Sequence, residues 1–366
     1  MFTCDSWNKY ECRIRRFSLK SVIKAIGIFC LALISFFIVS DSFADVIIHG
    51  AGATFPYPLY KKWMEVYEKT GNDRISYEAV GSGKGIKRLL EKSVDFAGTD
   101  AYMSDEEMSK VPEEILHIPT CIGAVVITYN LPENRDLRFT PGLIADIFSG
   151  YIKKWSDKRI ADVNPKIKLP DNDITVVRRS DGSGTTFVLT EFLSKTVDDW
   201  KKNIGYGKQV EWLVGIGLEG NPAVADFIAK IPGSIGYVEL TYALKNNFPQ
   251  ASIQNSSGNF IKPTLESISA AAELDLPKDT RIMLTNTSAP DGYPISAFTY
   301  ITVYKEQDYD GRTIEQAKSL SHLLNWMIGE GQRYTNEMQY APLPKEAIYK
   351  ADNIIKSMTY KHKPVN

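Results

Sequence analysis

Residues 174–187 read ITVVRRSDGSGTTF, and this stretch decides the fold. Ile174 to Val177 is a β-branched run that predicts a short strand, and behind the turn Leu189, Phe192, Leu193 and Thr196 recur at helical spacing. Strand, Gly-rich turn and helix start thus follow one another. The first turn of a helix has backbone N–H groups without intrahelical partners and carries the positive end of the macrodipole, so it attracts oxyanions. Gly182 and Gly184 allow a close backbone approach, Ser183 and Thr185 add hydroxyl donors, and Arg179 brings a permanent charge that Asp181 can hold in place. Ser, Gly and Thr before a helix are also ordinary capping residues, so this one turn does not by itself establish a site.

Similar turns stand elsewhere. Val46-Ile47-Ile48 predicts a short buried strand, followed by Gly50-Ala51-Gly52-Ala53-Thr54-Phe55 and a helical stripe of Leu59, Trp63, Val66 and Tyr67. Ile75, Tyr77 and Ala79 alternate as a second strand before Gly81-Ser82-Gly83-Lys84-Gly85 and a helix marked by Ile86, Leu89 and Leu90. A nucleotide phosphate loop is excluded there, because the required Gly and Ser/Thr positions hold Glu78 and Gly85. A third strand, Val94 to Gly98, ends in Thr99-Asp100, and Ser104 with Glu107 predicts a capping box on the next helix. Asp100 therefore stands at the C-terminal end of a strand, where open α/β sheets hold ligands.

Further on, Ile118 to Asn130 is nearly continuously apolar, as for a strand covered on both faces. Helices are predicted around Ile144 to Phe148, around Ile160 to Val163 and from Asn221-Pro222; a strand is predicted at Ile235 to Val238. Ile295 to Tyr304 is a long β-rich run, after which the chain reads as helical. Two α/β lobes, with the chain crossing between them along the two long strands, fit this order and predict a closing cleft.

The chain of 366 residues is long enough for two full cores; its 43% hydrophobic and 24% charged content is that of a globular protein. A net charge of -1 without a basic stripe argues against nucleic-acid binding. Residues 1–44 read as a signal peptide: Arg13, Arg15, Arg16, Lys20 and Lys24 precede the apolar run Ala25 to Val39, and Ser42-Phe43-Ala44 sets small residues where a signal peptidase reads. The alternative is an uncleaved N-terminal anchor. A lipid anchor at Cys30 is ruled out by Phe29 before it. Cleavage removes six Lys/Arg and three Asp/Glu, leaving 37 against 41 and a formal charge of -4, so an anion site here must select locally. Of four cysteines only Cys121 then remains, within an apolar run, and it reads as a core thiol.

The turns at Gly52 to Phe55, Gly81 to Ser82, Thr99 to Asp100 and Arg179 to Thr185 offer mainly neutral donors, with Arg179 the one evident basic ligand. Such a set binds a small oxyanion by preoriented dipoles. An ionised Asp100 only accepts hydrogen bonds, so it suits a phosphate that retains a proton and opposes a fully ionised sulfate. A mismatch of that kind, once buried, costs on the order of several kcal/mol. Catalytic patterns fail: Gly-x-Ser-x-Gly is broken around Ser183 by Asp181 and Thr185, and His49, His117, His322 and His362 lack metal-ligand spacing. No enzyme, cofactor or metal is expected.

Over essentially the whole of 45–366 the chain resembles the periplasmic phosphate-binding proteins of phosphate-specific ABC importers. The resemblance rests on GAGATFPYPLYKKW from Gly50, VGSGKGIKRL from Val80, VDFAGTDA from Val94, GYIKKWSD from Gly150, VVRRSDGSGTTFV from Val176, IPGSIGYVE from Ile231 and YPISAFTYI from Tyr293. It implies a type II periplasmic binding protein fold with lobe 1 over 45–128 and 297–366 and lobe 2 over 129–296. It places phosphate ligands at Thr54, Phe55 (through its N–H), Ser82, Asp100, Arg179, Asp181, Ser183, Gly184 and Thr185. It further implies a monomer that delivers phosphate to an inner-membrane permease, free in the periplasm because a lipobox is missing. Two departures stand out. Lys84 lies where the family usually has glycine, either adding attraction for phosphate or pointing to solvent, and Thr99 replaces a common serine. The rival readings are a phosphoester-acting enzyme, or a cell-surface phosphate binder without a permease, on the same fold.

Overall fold

Fifteen consecutive residues, Ile115–Tyr129, form the longest strand, and every one of them is buried. Such a run, rich in Ile, Val and Thr, suits a pleated strand covered on both faces. The computed structural model describes residues 46–70, 73–134 and 136–365. The expected signal peptide at 1–44 lies outside the described residues.

In chain order the strands are β1 (Ile47–Gly52), β2 (Arg74–Ala79), β3 (Phe96–Thr99), β4 (Ile115–Tyr129), β5 (Arg138–Phe139), β6 (Thr175–Arg179), β7 (Ile216–Leu218), β8 (Ser234–Glu239), β9 (Ser252–Gln254), β10 (Phe260–Ile261), β11 (Ser296–Tyr304), β12 (Thr359–Tyr360) and β13 (Lys363–Pro364). Eight of them make one sheet in the order β2-β1-β3-β11-β4-β8-β6-β7. β1 runs parallel to β2 and β3, and β6 runs parallel to β7 and β8. Between these two parallel groups lie β11 and β4, paired antiparallel. β4 pairs with β11 through Ala124 and with β8 from Val125 onward, so a single strand serves both halves.

Pro119 in the middle of β4 is tolerable because the ladder slips beside it. Cys121 faces Thr299 but Pro119 faces Tyr300, which leaves Thr120 as the extra residue of a bulge. The Thr120 hydroxyl is used there, 2.8 Å from the Tyr60 hydroxyl and donating to the Thr299 carbonyl at 3.2 Å. Cys121 is buried in the core, which pushes its thiol well above the usual range.

Helices connect the parallel strands. Tyr57–Lys69 links β1 to β2 and Ser82–Leu90 links β2 to β3; Gly184–Thr196 follows β6, and Gly220–Lys230 links β7 to β8. Each is amphipathic or buried and packs on the sheet, and the predicted capping box of Ser104 and Glu107 is formed. Two local readings need correction. Ile47 and His49 are exposed, so β1 is covered on one face only over its first half. The segment after β11 is not wholly helical: helices Ile314–Ile328 and Lys345–Lys356 are followed by the β12–β13 hairpin, whose two-residue strands are too short to show a period. Trp63 and Trp326 meet edge to face, fastening this C-terminal part onto the first parallel group.

Candidate anion-binding site

All nine residues singled out in the sequence sit at C-terminal ends of parallel strands or in the turns just beyond. Thr54 and Phe55 follow β1, Ser82 opens the helix after β2, Asp100 follows β3, and Arg179 to Thr185 span the end of β6 and the next helix start. All nine residues are buried. Two turns from opposite halves of the sheet touch directly: Gly83 N–H donates to the Gly182 carbonyl at 2.8 Å, and Gly184 N–H donates to Ser82 Oγ at 3.1 Å. Ser82 therefore does not cap its own helix but receives a donor from the other half.

The closeness of these turns requires glycine. A Cβ on Gly184 would lie 2.4 Å from Asp100 Oδ2 and 2.6 Å from Ser82 Oγ, and one on Gly81, at φ +91, would lie 2.3 Å from Asp181 Oδ2. Ser183 caps the helix Gly184–Thr196, its hydroxyl oxygen accepting from Thr186 N–H at 3.0 Å. The positive end of that helix points at Asp100 and Ser82.

Arg179 and Asp181 form a two-pronged pair. Arg179 Nε donates to Asp181 Oδ1 at 2.7 Å, and a second, very short contact joins Nη2 to Oδ2. Arg179 Nη1 reaches Thr185 Oγ1 at 3.3 Å, and Gly220 N–H donates to Asp181 Oδ1 at 3.2 Å. Burial pushes the Asp181 carboxyl up, but the arginine's hydrogen bonds and charge and the Gly220 N–H outweigh it and hold the group below its usual range. This geometry fits the orienting role assigned to Asp181 from the sequence.

Asp100 has the opposite environment. Burial raises its pKa from 3.8 to about 7, against a hydrogen bond from Thr299 and the attraction of Arg179, with Asp181 adding repulsion. The Thr299 hydroxyl, from β11, donates to Oδ1 at 3.1 Å, while Oδ2 faces Gly184. One carboxylate oxygen is thus engaged by Thr299, and the other lies against the helix start at Gly184.

Several residues of the site were not foreseen. Asn221, fully buried at the start of the helix after β7, donates from Nδ2 to Thr54 Oγ1 at 2.9 Å and to Thr185 Oγ1 at 3.1 Å. Tyr242 OH donates to the Thr54 carbonyl at 2.6 Å, and Tyr340 OH lies 2.7 Å from the Phe55 carbonyl and 3.0 Å from a Glu239 oxygen. Burial raises Glu239 to about 8. A phenol has one proton, so a neutral Glu239 satisfies this arrangement by supplying the second. In sequence, Asn221-Pro222 reads as an ordinary helix start; the one available signal is the short strand β7 ahead of that helix.

Lys84 lies at the exposed rim. Its ammonium pairs with Glu219 at 2.9 Å, both side chains being more than half exposed, and so it ties the first half to the second at the rim. The Thr99 hydroxyl turns into its own loop, donating to the Ala101 carbonyl at 2.6 Å. His117, buried in the protein, accepts from Met103 N–H at 3.0 Å, and burial lowers its pKa to about 3. Among the described residues, no group of three or more His, Cys, Asp or Glu side chains is placed to hold a metal ion.

Facing turns at the ends of two parallel strand groups define a two-lobed binding protein, and residues 39–330 match the family model described as a PBP superfamily domain. The chain is 40% identical over 308 residues to the phosphate-binding protein PstS of Pasteurella multocida, covering 83% of this chain and 88% of that one. It is 39% identical over 306 residues to PstS of Haemophilus influenzae, covering 82% and 90%. In three dimensions it resembles a high affinity periplasmic phosphate-binding protein, PfluDING, solved with phosphate bound: the TM-score is 0.69 at 19% identity, over 84% of this chain and 93% of that one. The chain belongs to the PBP superfamily and, within it, to the PstS phosphate-binding proteins. Its fold is the two-lobed type II arrangement.

Proposed function

We propose that this protein captures inorganic phosphate between its two lobes and delivers it to an ABC permease for import. The ligands would be Thr54, the Phe55 N–H, Ser82, Asp100, Arg179, Asp181, Ser183, Gly184 and Thr185, with Asp181 acting through Arg179. The observation that carries the reading is Asp100: a buried carboxyl with one oxygen bonded to Thr299 and the other close to Gly184, where the helix after β6 begins. Surrounding donors hold the oxyanion, and the single acceptor takes the proton that phosphate has and sulfate lacks. The PstS relatives are named for binding phosphate, and PfluDING for binding it with high affinity.

Capture and release need lobe movement and no covalent step, so the protein is read as a carrier and not an enzyme. In this reading lobe 1 comprises 45–128 and 297–366, lobe 2 comprises 129–296, and the change of partners within β4 at Ala124 and Val125 supports a crossing there. The carrier works as a monomer in the periplasm, with 1–44 as its cleaved signal. Among the described residues no helix is long and apolar enough to cross a membrane.

Deleting the gene tests the transport role. Uptake of phosphate at low external concentration should fall and return with the wild-type gene but not with Arg179→Ala. Unchanged uptake in the deletion strain would contradict delivery to a permease.

A further inference from the structure

Asn221 makes an unusual set of contacts for a residue at a helix start. Its Oδ1 accepts from Glu239 N–H at 3.0 Å, and because a backbone N–H can only donate, this contact fixes which end of the amide is the oxygen. Nδ2 therefore points the other way, one hydrogen for Thr54 and one for Thr185. Thr54 Oγ1 receives a second donor, the Asn221 backbone N–H, at 3.1 Å. Thr185 Oγ1 receives Arg179 Nη1 at 3.3 Å.

A threonine hydroxyl has two lone pairs and one proton. Each of these two oxygens is approached by two N–H donors, so its lone pairs are occupied and its proton must be given elsewhere. We propose that Asn221 is a positioning residue that turns the hydroxyls of Thr54 and Thr185, one from each lobe, into obligatory donors aimed at the bound anion. This rests on the reading of the two threonines as phosphate ligands. Without the Asn221 amide each hydroxyl keeps only one donor, the residue-221 N–H for Thr54 and Arg179 for Thr185, and its proton can turn to a neighbouring acceptor. With it, both donors are fixed toward the anion as the lobes close, and their freedom to rotate no longer subtracts from affinity. One amide also bonds both lobes at once, so the orientation is complete only when the lobes meet.

The test is a double-mutant cycle read by calorimetric titration of ligand-free protein with inorganic phosphate. Asn221→Ala in the wild type should weaken binding on the order of 10- to 100-fold, whereas in the Thr54→Ala/Thr185→Ala background it should cost less than about threefold. Asn221→Asp keeps the shape and the acceptor for Glu239 N–H but offers the hydroxyls an acceptor in place of a donor. It should weaken wild-type binding more than Asn221→Ala does, and this excess should shrink when the threonine hydroxyls are absent. An equal cost of Asn221→Ala in both backgrounds would mean a merely structural role and overturn the proposal, as would wild-type affinity in Asn221→Ala. Wild-type affinity in the threonine double variant is a different result: it would remove Thr54 and Thr185 from the phosphate site and overturn the proposal through its premise.

Discussion

In the proposed reading selectivity turns on Asp100, whose buried environment would couple the site to pH. Its folded-state pKa of about 7 lies above the ordinary 3.8, mainly because it is buried. The folded, ligand-free protein therefore keeps a proton that the unfolded chain gives up. The stability this contributes is fully present below pH 3.8 and is lost as pH rises through about 7. The slope from one such group is up to about 1.4 kcal/mol per pH unit. Asp100→Asn removes this group's share and leaves that of Glu239, raised to about 8 by burial. Ligand-free Asp100→Asn should thus gain stability relative to wild type between about pH 5 and about pH 8, measured by denaturant unfolding at the two ends. An identical pH dependence in both proteins would mean that Asp100 is already ionised across that range. With ligand, one proton lies between carboxylate and anion: phosphate brings its own, whereas sulfate must take it from Asp100, so the exclusion of sulfate is expected above about pH 7.

At the scale of elements, the site is a meeting of strand-to-helix turns whose spacing is set by missing side chains. The helix Gly184–Thr196 comes against Asp100 and Ser82 because residue 184 has no Cβ. Gly184→Ala forces a retreat of that helix start, since its Cβ would fall 2.4 Å from a carboxylate oxygen. Phosphate affinity should fall on the order of 100-fold, as for a displacement of about 1 Å in a preorganised site. The ligand-free variant should melt near the wild-type temperature, because alanine favours the helix. Undiminished affinity would show that the close approach is not needed.

The same scale explains what was legible in the sequence. Arg179 to Thr185 could be read because a strand, its turn and the next helix start are local, and glycine and hydroxyl residues signal the turn directly. Asp100 could be read as the end of a strand. Asn221 could not, since its partners Thr54 and Thr185 lie 167 and 36 residues away and its own neighbourhood looks like routine capping. The role of Lys84 stayed open for the same reason: its position beside a Gly-rich turn is local information, while Glu219, its ion-pair partner, is 135 residues away. β7, with three residues, gave too weak a period to mark its turn as a member of the set.

For the whole molecule, the two lobes are tied across the cleft by contacts of unequal weight. The rim carries ion pairs, Lys84 with Glu219 and Lys208 with Glu107, the first of them well exposed and worth no more than about 1 kcal/mol. The interior carries neutral bonds from Asn221, Tyr242 and Gly83. Closure is therefore set chiefly by buried hydrogen bonds, which are insensitive to salt, and this suits a chain whose residues after 44 carry a formal charge of -4. In the proposed site one proton-bearing oxyanion is held by oriented donors and a single acceptor. The most direct measurement is calorimetric titration of ligand-free protein with phosphate and, separately, with sulfate. One tight phosphate per chain, no heat from sulfate, and loss of phosphate binding in Arg179→Ala and Asp100→Ala are the predicted results. Equal binding of both anions, or phosphate binding that survives both substitutions, would contradict it.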